Sequence, residues 1–309
     1  MRPVAVVGAG SIGVAFGIVF ARAGRYVRVW DPVAESLGRA REDVADRMGM
    51  LARHGLIQEP VEEVAARVTF HDELDQALWD VVLVQECAPE DIDLKRQLFA
   101  LLGRHAPADT VLASSSSALV PSQYGAGLQC RERVLGAHPG NPPYLLRVIE
   151  LVRSPDTSDQ ALRLAADLYA DAGLTPVFVR KEIEGFLFNR LQGALLREAY
   201  CLVRDGVATV EDVDEVVRNG LGLRWSFMGP FETVDLNTRG GVAAHAARLG
   251  PAYERMGAER GQQDRWTPDL VATVTEQRRR LLPLDRWGER VRWRDERLIL
   301  LRRFLDLQG

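Results

Sequence analysis

The stretch Gly8-Ala9-Gly10-Ser11-Ile12-Gly13, set directly after the apolar run Val4-Ala5-Val6-Val7, narrows the folds open to this chain more than any other feature. In a strand–turn–helix context each glycine has a separate task. Gly8 allows the tight turn, Gly10 keeps a Cβ out of the path of a pyrophosphate, and Gly13 lets the helix pack close to the strand. Ser11 and Ile12 open that helix, whose N-terminal amides face the diphosphate. A second strand is expected at Val27-Arg28-Val29-Trp30. It ends on Asp31, 18 positions past Gly13, where a carboxylate accepts hydrogen bonds from the adenosine ribose hydroxyls. Gly8, Gly10, Ser11, Ile12, Gly13 and Asp31 are therefore the expected dinucleotide contacts, and the acid favours NAD over NADP.

At 309 residues the chain is long enough for two domains, since single cores stop growing at about 250–300 residues. A net charge of -4 supplies no general basic face, so nucleic acid is not an expected partner. No apolar run is long enough for a bilayer and the N-terminus enters a strand without a signal peptide, so a cytoplasmic protein with no membrane partner is expected. Cys87, Cys130 and Cys201 lack paired spacing, and the five histidines form no ligand pair, so neither disulfides nor a metal is expected. Lysine is scarce: Lys95 and Lys181 stand among 39 basic residues, which marks Lys95 as a place where a compact point charge is wanted.

Beyond Asp31 a charged helical stretch from about 34 to 55 and a second from about 60 to 66 read as a helical hairpin. Strands follow at about 67–70, 81–84, 111–113, 134–137, 148–151 and 176–179, with helices between several of them, the alternation of a doubly wound sheet. After Lys181 strands cease. One long helix is expected to carry Phe186, Leu187, Asn189, Arg190 and Leu191, with further helices at 210–219, 230–249 and 267–282. The expected fold is α/β: a Rossmann-type doubly wound sheet with an inserted helical hairpin (1–182), followed by an all-α domain (183–309) that binds substrate and dimerises.

Polar residues at strand ends of such a sheet point into the ligand crevice. Glu86, Glu90 and Lys95 follow one strand, Ser114 to Ser117 another, and His138-Pro139-Gly140-Asn141-Pro142 a third, with Glu150 on the next. The prolines force a turn that brings the strands of His138 and Glu150 side by side. A carboxylate on one ring nitrogen fixes the tautomer and raises the basicity of the other, the equipment for taking a proton from an alcohol as hydride leaves its carbon. The serine run by itself is equally a polar turn.

These motifs, with Gly185-Phe186-Leu187-Phe188-Asn189-Arg190, resemble the L-3-hydroxyacyl-CoA dehydrogenase superfamily along nearly the whole chain. The run Gly220-Leu221-Gly222-Leu223-Arg224-Trp225-Ser226-Phe227-Met228-Gly229-Pro230 and the late Trp293-Arg294-Asp295-Glu296 look most like its lambda-crystallin / L-gulonate 3-dehydrogenase branch. The resemblance implies His138 as general base, Glu150 as its orienting partner, and Ser117 and Asn189 as donors near the reacting oxygen and the nicotinamide. It implies Ser115, Glu90 and Lys95 on the cofactor side, Asn141 beside the substrate, and a homodimer formed through the helical domain. Arg224 is a separate inference: a planar guanidinium suits the carboxylate of a free hydroxy acid, which a thioester lacks, although it reads equally as a structural arginine.

The leading expectation is NAD-dependent oxidation of the 3-hydroxyl of a small acid, L-gulonate or a relative, to the 3-oxo acid. The alternatives are a 3-hydroxyacyl or 2-hydroxyacyl thioester on CoA or an acyl carrier protein, and a crystallin-like NAD-binding protein without turnover. The intact set of His138, Glu150, Ser117 and Asn189 argues against the last.

Overall fold

The computed structural model describes residues 1–261, 267–291, 293, 297, 304 and 307; residues 294–296 of the late tryptophan motif lie outside the described residues. The strands are β1 (Val4–Val7), β2 (Val27–Trp30), β3 (Val68–His71), β4 (Leu83–Glu86), β5 (Val111–Ser114), β6 (Val134–Pro139), β7 (Val148–Arg153) and β8 (Thr175–Val179). The helices are α1 (Ser11–Arg22), α2 (Ala34–Arg53), α3 (Val61–Ala65), α4 (Leu74–Leu78), α5 (Ile92–His105), α6 (Pro121–Gly125), α7 (Asp159–Asp171), α8 (Phe188–Arg204), α9 (Val210–Val216), α10 (Gly222–Trp225), α11 (Pro230–Asn237), α12 (Gly241–Glu259) and α13 (Pro268–Leu281). The chain divides into two compact units, Met1–Leu196 and Arg197–Gly309.

The first unit is one sheet in the order β3-β2-β1-β4-β5-β6-β7-β8, parallel throughout except for the antiparallel pair β6–β7. Its central strands β1, β4, β5 and β6 are buried along their whole length, as a sheet with helices on both faces requires. The glycine turn sits at the end of β1. A Cβ on Gly13 would lie 1.9 Å from the Gly8 carbonyl oxygen, so only glycine lets α1 start this close to the strand. Every residue from Gly13 to Ala21 is buried, and Phe16 and Phe20 meet Tyr169 of α7 at ring distances of 6.3 and 5.8 Å. The hairpin of α2 and α3 forms as expected, with Leu37, Ala40, Val44, Met48 and Leu51 of α2 turned into the core.

Two readings of the first unit are corrected. The strand expected at 81–84 runs instead over Leu83–Glu86, because it pairs with β1 from Val4↔Leu83 to Val7↔Glu86. This carries two polar side chains, Gln85 and Glu86, into the sheet, where Tyr169 donates to Gln85, and Lys95 and Ser114 donate to Glu86. Pairing with a partner outweighs local hydrophobicity here. The long helix starts at Phe188, so Phe186 and Leu187 precede it. Gly185 and Phe186 adopt positive φ (74° and 50°), and the amides of Leu187 and Phe188 turn onto Glu150.

In the second unit the helix expected at 230–249 is two helices. Gly240 and Gly241, at φ 96° and 73°, break it between α11 and α12. Asp235 of α11 is fully buried; it is ion-paired to Arg278 and Arg279 of α13 and accepts the amide of Val242. Glu232 accepts from Arg278 at 3.0 Å and from Arg290 at 2.8 Å, and the Trp287 indole donates to the Asp235 carbonyl at 2.7 Å. These charges clasp α11, α13 and the segment after it around Met228, Leu236 and Leu282.

Candidate active site

The glycine turn, Asp31, Pro32, Val33 and the segment Cys87–Pro89 line a cleft of about 860 Å³ against α2 and α5. Its chemistry suits a dinucleotide. A Cβ on Gly10 would meet no protein atom within 4 Å, so the space beside it is open to a ligand. Asp31 accepts from the Ala9 amide at 2.9 Å and from the Val33 amide at 2.9 Å, which fixes the carboxylate beside the turn. Arg47 reaches over from α2 to the carbonyl and hydroxyl of Ser11, at 3.2 and 3.3 Å. Burial and the neighbouring Glu86 push the Cys87 thiol far above its ordinary value, so this wall of the cleft is uncharged.

On the antiparallel pair β6–β7, His138 and Glu150 are directly opposite each other. The imidazole Nδ1 lies 2.7 Å from Glu150 Oε2, with the two residues 6 % and 2 % exposed. The second carboxylate oxygen, Oε1, accepts the amides of Leu187 at 2.7 Å and Phe188 at 3.0 Å. The start of α8 thus supplies two backbone donors and the positive end of a helix to the carboxylate that holds the histidine. Phe186 packs against the imidazole with ring centres 5.5 Å apart. With Nδ1–H donated to Glu150, Nε2 carries the lone pair. Among the described residues it has no hydrogen-bond partner.

The serine loop is organised by Glu90. One oxygen, Oε1, accepts the Ser116 hydroxyl at 2.6 Å and the amides of Ser117, Ala118 and Leu119 at 3.0 to 3.3 Å. Burial alone would raise this carboxyl, but the hydrogen bonds from Ser116, Ala118 and Leu119 and the charge of Lys95 outweigh it and hold Glu90 below its ordinary value. Lys95 is fully enclosed, 2.9 Å from both oxygens of Glu86, which also accepts the Ser114 hydroxyl. Glu90 thus holds the serine loop, and Lys95 holds Glu86 and donates to the carbonyl of Ala88, a residue of the cleft wall. Asn189 donates its amide to the Ser117 carbonyl at 3.0 Å, tying the first turn of α8 to the same loop.

The first unit thus brings His138 onto Glu150 and Asn189 onto the Ser117 carbonyl, with Ser115 held by its amide on the Glu86 carbonyl, and Asn141 exposed and joined to Pro142 by a cis peptide bond. Arg224 belongs to α10 of the other unit. Sequence reasoning did not single out Ser114 and Ser116 as organisers, nor the backbone amides at the start of α8. The adjacent Gly185-Phe186 was the one local signal of a break there.

A doubly wound dinucleotide-binding sheet with a glycine turn, a ribose-side acid and a carboxylate-held histidine defines a nicotinamide-dependent dehydrogenase. Residues 3–183 match the family model for the NAD binding domain of 3-hydroxyacyl-CoA dehydrogenase, and residues 185–279 match the model for its C-terminal domain. Lambda-crystallin of Oryctolagus cuniculus is 35 % identical over 99 % of this chain and 98 % of its own. L-carnitine dehydrogenase of Pseudomonas aeruginosa is 38 % identical over 82 % of this chain and 78 % of its own. A solved 3-hydroxyacyl-CoA dehydrogenase from Archaeoglobus fulgidus superposes with a TM-score of 0.75 at 25 % identity, covering 99 % of this chain and 100 % of that one. The chain belongs to the 3-hydroxyacyl-CoA dehydrogenase family, and it is an NAD-dependent oxidoreductase acting on a CH–OH group.

Proposed function

We propose that the chain oxidises the 3-hydroxyl of a small free hydroxy acid to the 3-oxo acid, with L-gulonate and related acids as first candidates. The observation that carries this reading is the His138–Glu150 contact of 2.7 Å, with the carboxylate's other oxygen saturated by two amides. His138 Nε2 takes the hydroxyl proton while Glu150 keeps Nδ1–H and stabilises the imidazolium that forms. Bound NAD supplies the acceptor for the hydride that leaves C3. Ser117, whose hydroxyl is exposed, and Asn189, which keeps a second amide hydrogen, orient the reacting oxygen and the nicotinamide. Ser115 and Asn141 complete the contacts to cofactor and substrate. Glu90 and Lys95 position the serine loop, and Arg224 takes the substrate carboxylate as a two-pronged partner.

One relative supports a free acid over a thioester: L-carnitine, the substrate in the name of the Pseudomonas enzyme, is itself a free 3-hydroxy acid. The test is a panel of L-gulonate, L-carnitine, 3-hydroxybutyrate and 3-hydroxybutyryl-CoA with NAD and with NADP, following reduced cofactor by absorbance. Turnover of a free acid with NAD is expected. Faster turnover of the CoA ester than of every free acid overturns the reading in favour of a thioester enzyme.

The same reading has two copies of the chain associating through the helical domain. Its support is α8, which has no buried residue and exposes Leu191, Leu195, Tyr200 and Val203. No helix among the described residues is long and apolar enough to cross a membrane.

A further inference from the structure

The second unit contains a cavity of about 290 Å³ between α10, α11 and α12 whose charged lining is entirely cationic among the described residues. Arg224 comes from α10 and Arg248 from α12, and neither guanidinium has an ion pair or hydrogen bond among the described residues. Two like charges beside one cavity repel each other, and an anion that enters it relieves the repulsion. His245, 6 % exposed, lines the same cavity. Its Nδ1 lies 3.4 Å from the Thr238 hydroxyl, while its buried Nε2 has no partner among the described residues. An orphaned buried ring nitrogen is destabilising and calls for a ligand. Burial, with Arg248 adding to it, holds His245 below its ordinary value, so the ring is neutral. In the tautomer in which the Thr238 hydroxyl donates to Nδ1, Nε2 carries the proton and is free to donate.

We propose that Arg224, Arg248 and His245 form a binding site for the carboxylate of a small organic acid. The rest of the lining mixes apolar residues such as Trp225, Pro230 and Leu249 with polar Thr233, Asn237 and Tyr253, which suits a small organic acid with a carbon skeleton and further polar groups better than a bare inorganic ion. The two guanidiniums hold the carboxylate oxygens and the imidazole N–H completes the donor set. The acid is either the substrate itself, which rests on the hydroxy-acid reading above, or a second acid that binds beside the reaction.

The test uses the full chain with NAD bound and measures the rise in melting temperature and the dissociation constant for sodium 3-hydroxybutyrate and sodium acetate, against sodium chloride at matched ionic strength. Saturable binding of the acids is expected, with the neutral methyl ester of 3-hydroxybutyrate failing to bind. Arg224→Gln and Arg248→Gln are each expected to weaken acid binding about tenfold or more. Arg248 is exposed, so its variant carries the test if Arg224→Gln does not fold. Equal affinity in wild type and Arg248→Gln, or equal binding of acid and ester, overturns the proposal. Acetate competing with the oxidised hydroxy acid identifies the ligand as the substrate's carboxylate; a non-competitive effect identifies a second acid. Should no hydroxy acid be oxidised while Arg248-dependent acetate binding persists, the pocket stands and the functional reading falls.

Discussion

At the scale of single residues, the site depends on two carboxylates that organise what they touch. Glu150 has both oxygens committed, one to His138 and one to the start of α8. Glu150→Gln keeps the shape but must turn an amide N–H toward one of these donors. Turnover is expected to fall about 10²-fold or more with little change in NAD affinity by fluorescence titration. His138→Ala removes the base itself, and a loss of about 10²–10⁴-fold in kcat is expected; a near-normal rate sinks the assignment. Glu90 acts on the loop. Its folded value lies below the ordinary 4.5, so its contribution is fully present above 4.5 and is lost as pH falls through the lower folded value. Amide exchange at Ser117, Ala118 and Leu119 is expected to stay slow at neutral pH and to quicken relative to the β5 core in acid, and that acid-dependent change is expected to vanish in Glu90→Gln, whose amide oxygen still accepts but does not titrate.

At the scale of elements, close approaches set what can be changed. Gly13→Ala places a methyl 1.9 Å from the Gly8 carbonyl, a backbone atom that cannot move aside cheaply. A loss of about 3 kcal/mol or more and failure to bind NAD are expected from denaturant unfolding and cofactor titration. The pair Lys95–Glu86 is enclosed within β4 and α5, both side chains 0 % exposed. Lys95→Met strands the Glu86 charge, and a cost of about 3–5 kcal/mol is expected. The same pair explains why β4 runs to Glu86, two residues past the apolar run. Glu86 looks like a loop residue until the lysine nine positions later is seen to cover it. Likewise α8 starts later than its apolar periodicity, which continues through Phe186 and Leu187 while the backbone there turns to serve Glu150. The split between α11 and α12 is legible in Gly240-Gly241, which the helix expected at 230–249 runs straight through.

At the scale of the whole molecule, cofactor choice and assembly are the properties to test. Asp31→Ser removes the carboxylate that disfavours a 2′-phosphate, and the ratio of NAD to NADP efficiency is expected to fall about tenfold or more. Sedimentation is expected to find a dimer, weakened by Leu191→Glu with Leu195→Glu on the open face of α8. The sequence by itself determined the βα alternation, the glycine turn with its acid, the helical hairpin and the pairing of His138 with Glu150, because each is written in local periodicity or in a turn that forces neighbouring strands together. Only the tertiary structure decided that the start of α8 caps Glu150, that Glu86 is a core residue, and that Arg224, Arg248 and His245 share one cavity. Those contacts join residues distant in sequence, and their energy comes from satisfying buried charge and buried amides, for which no spacing rule along the chain exists.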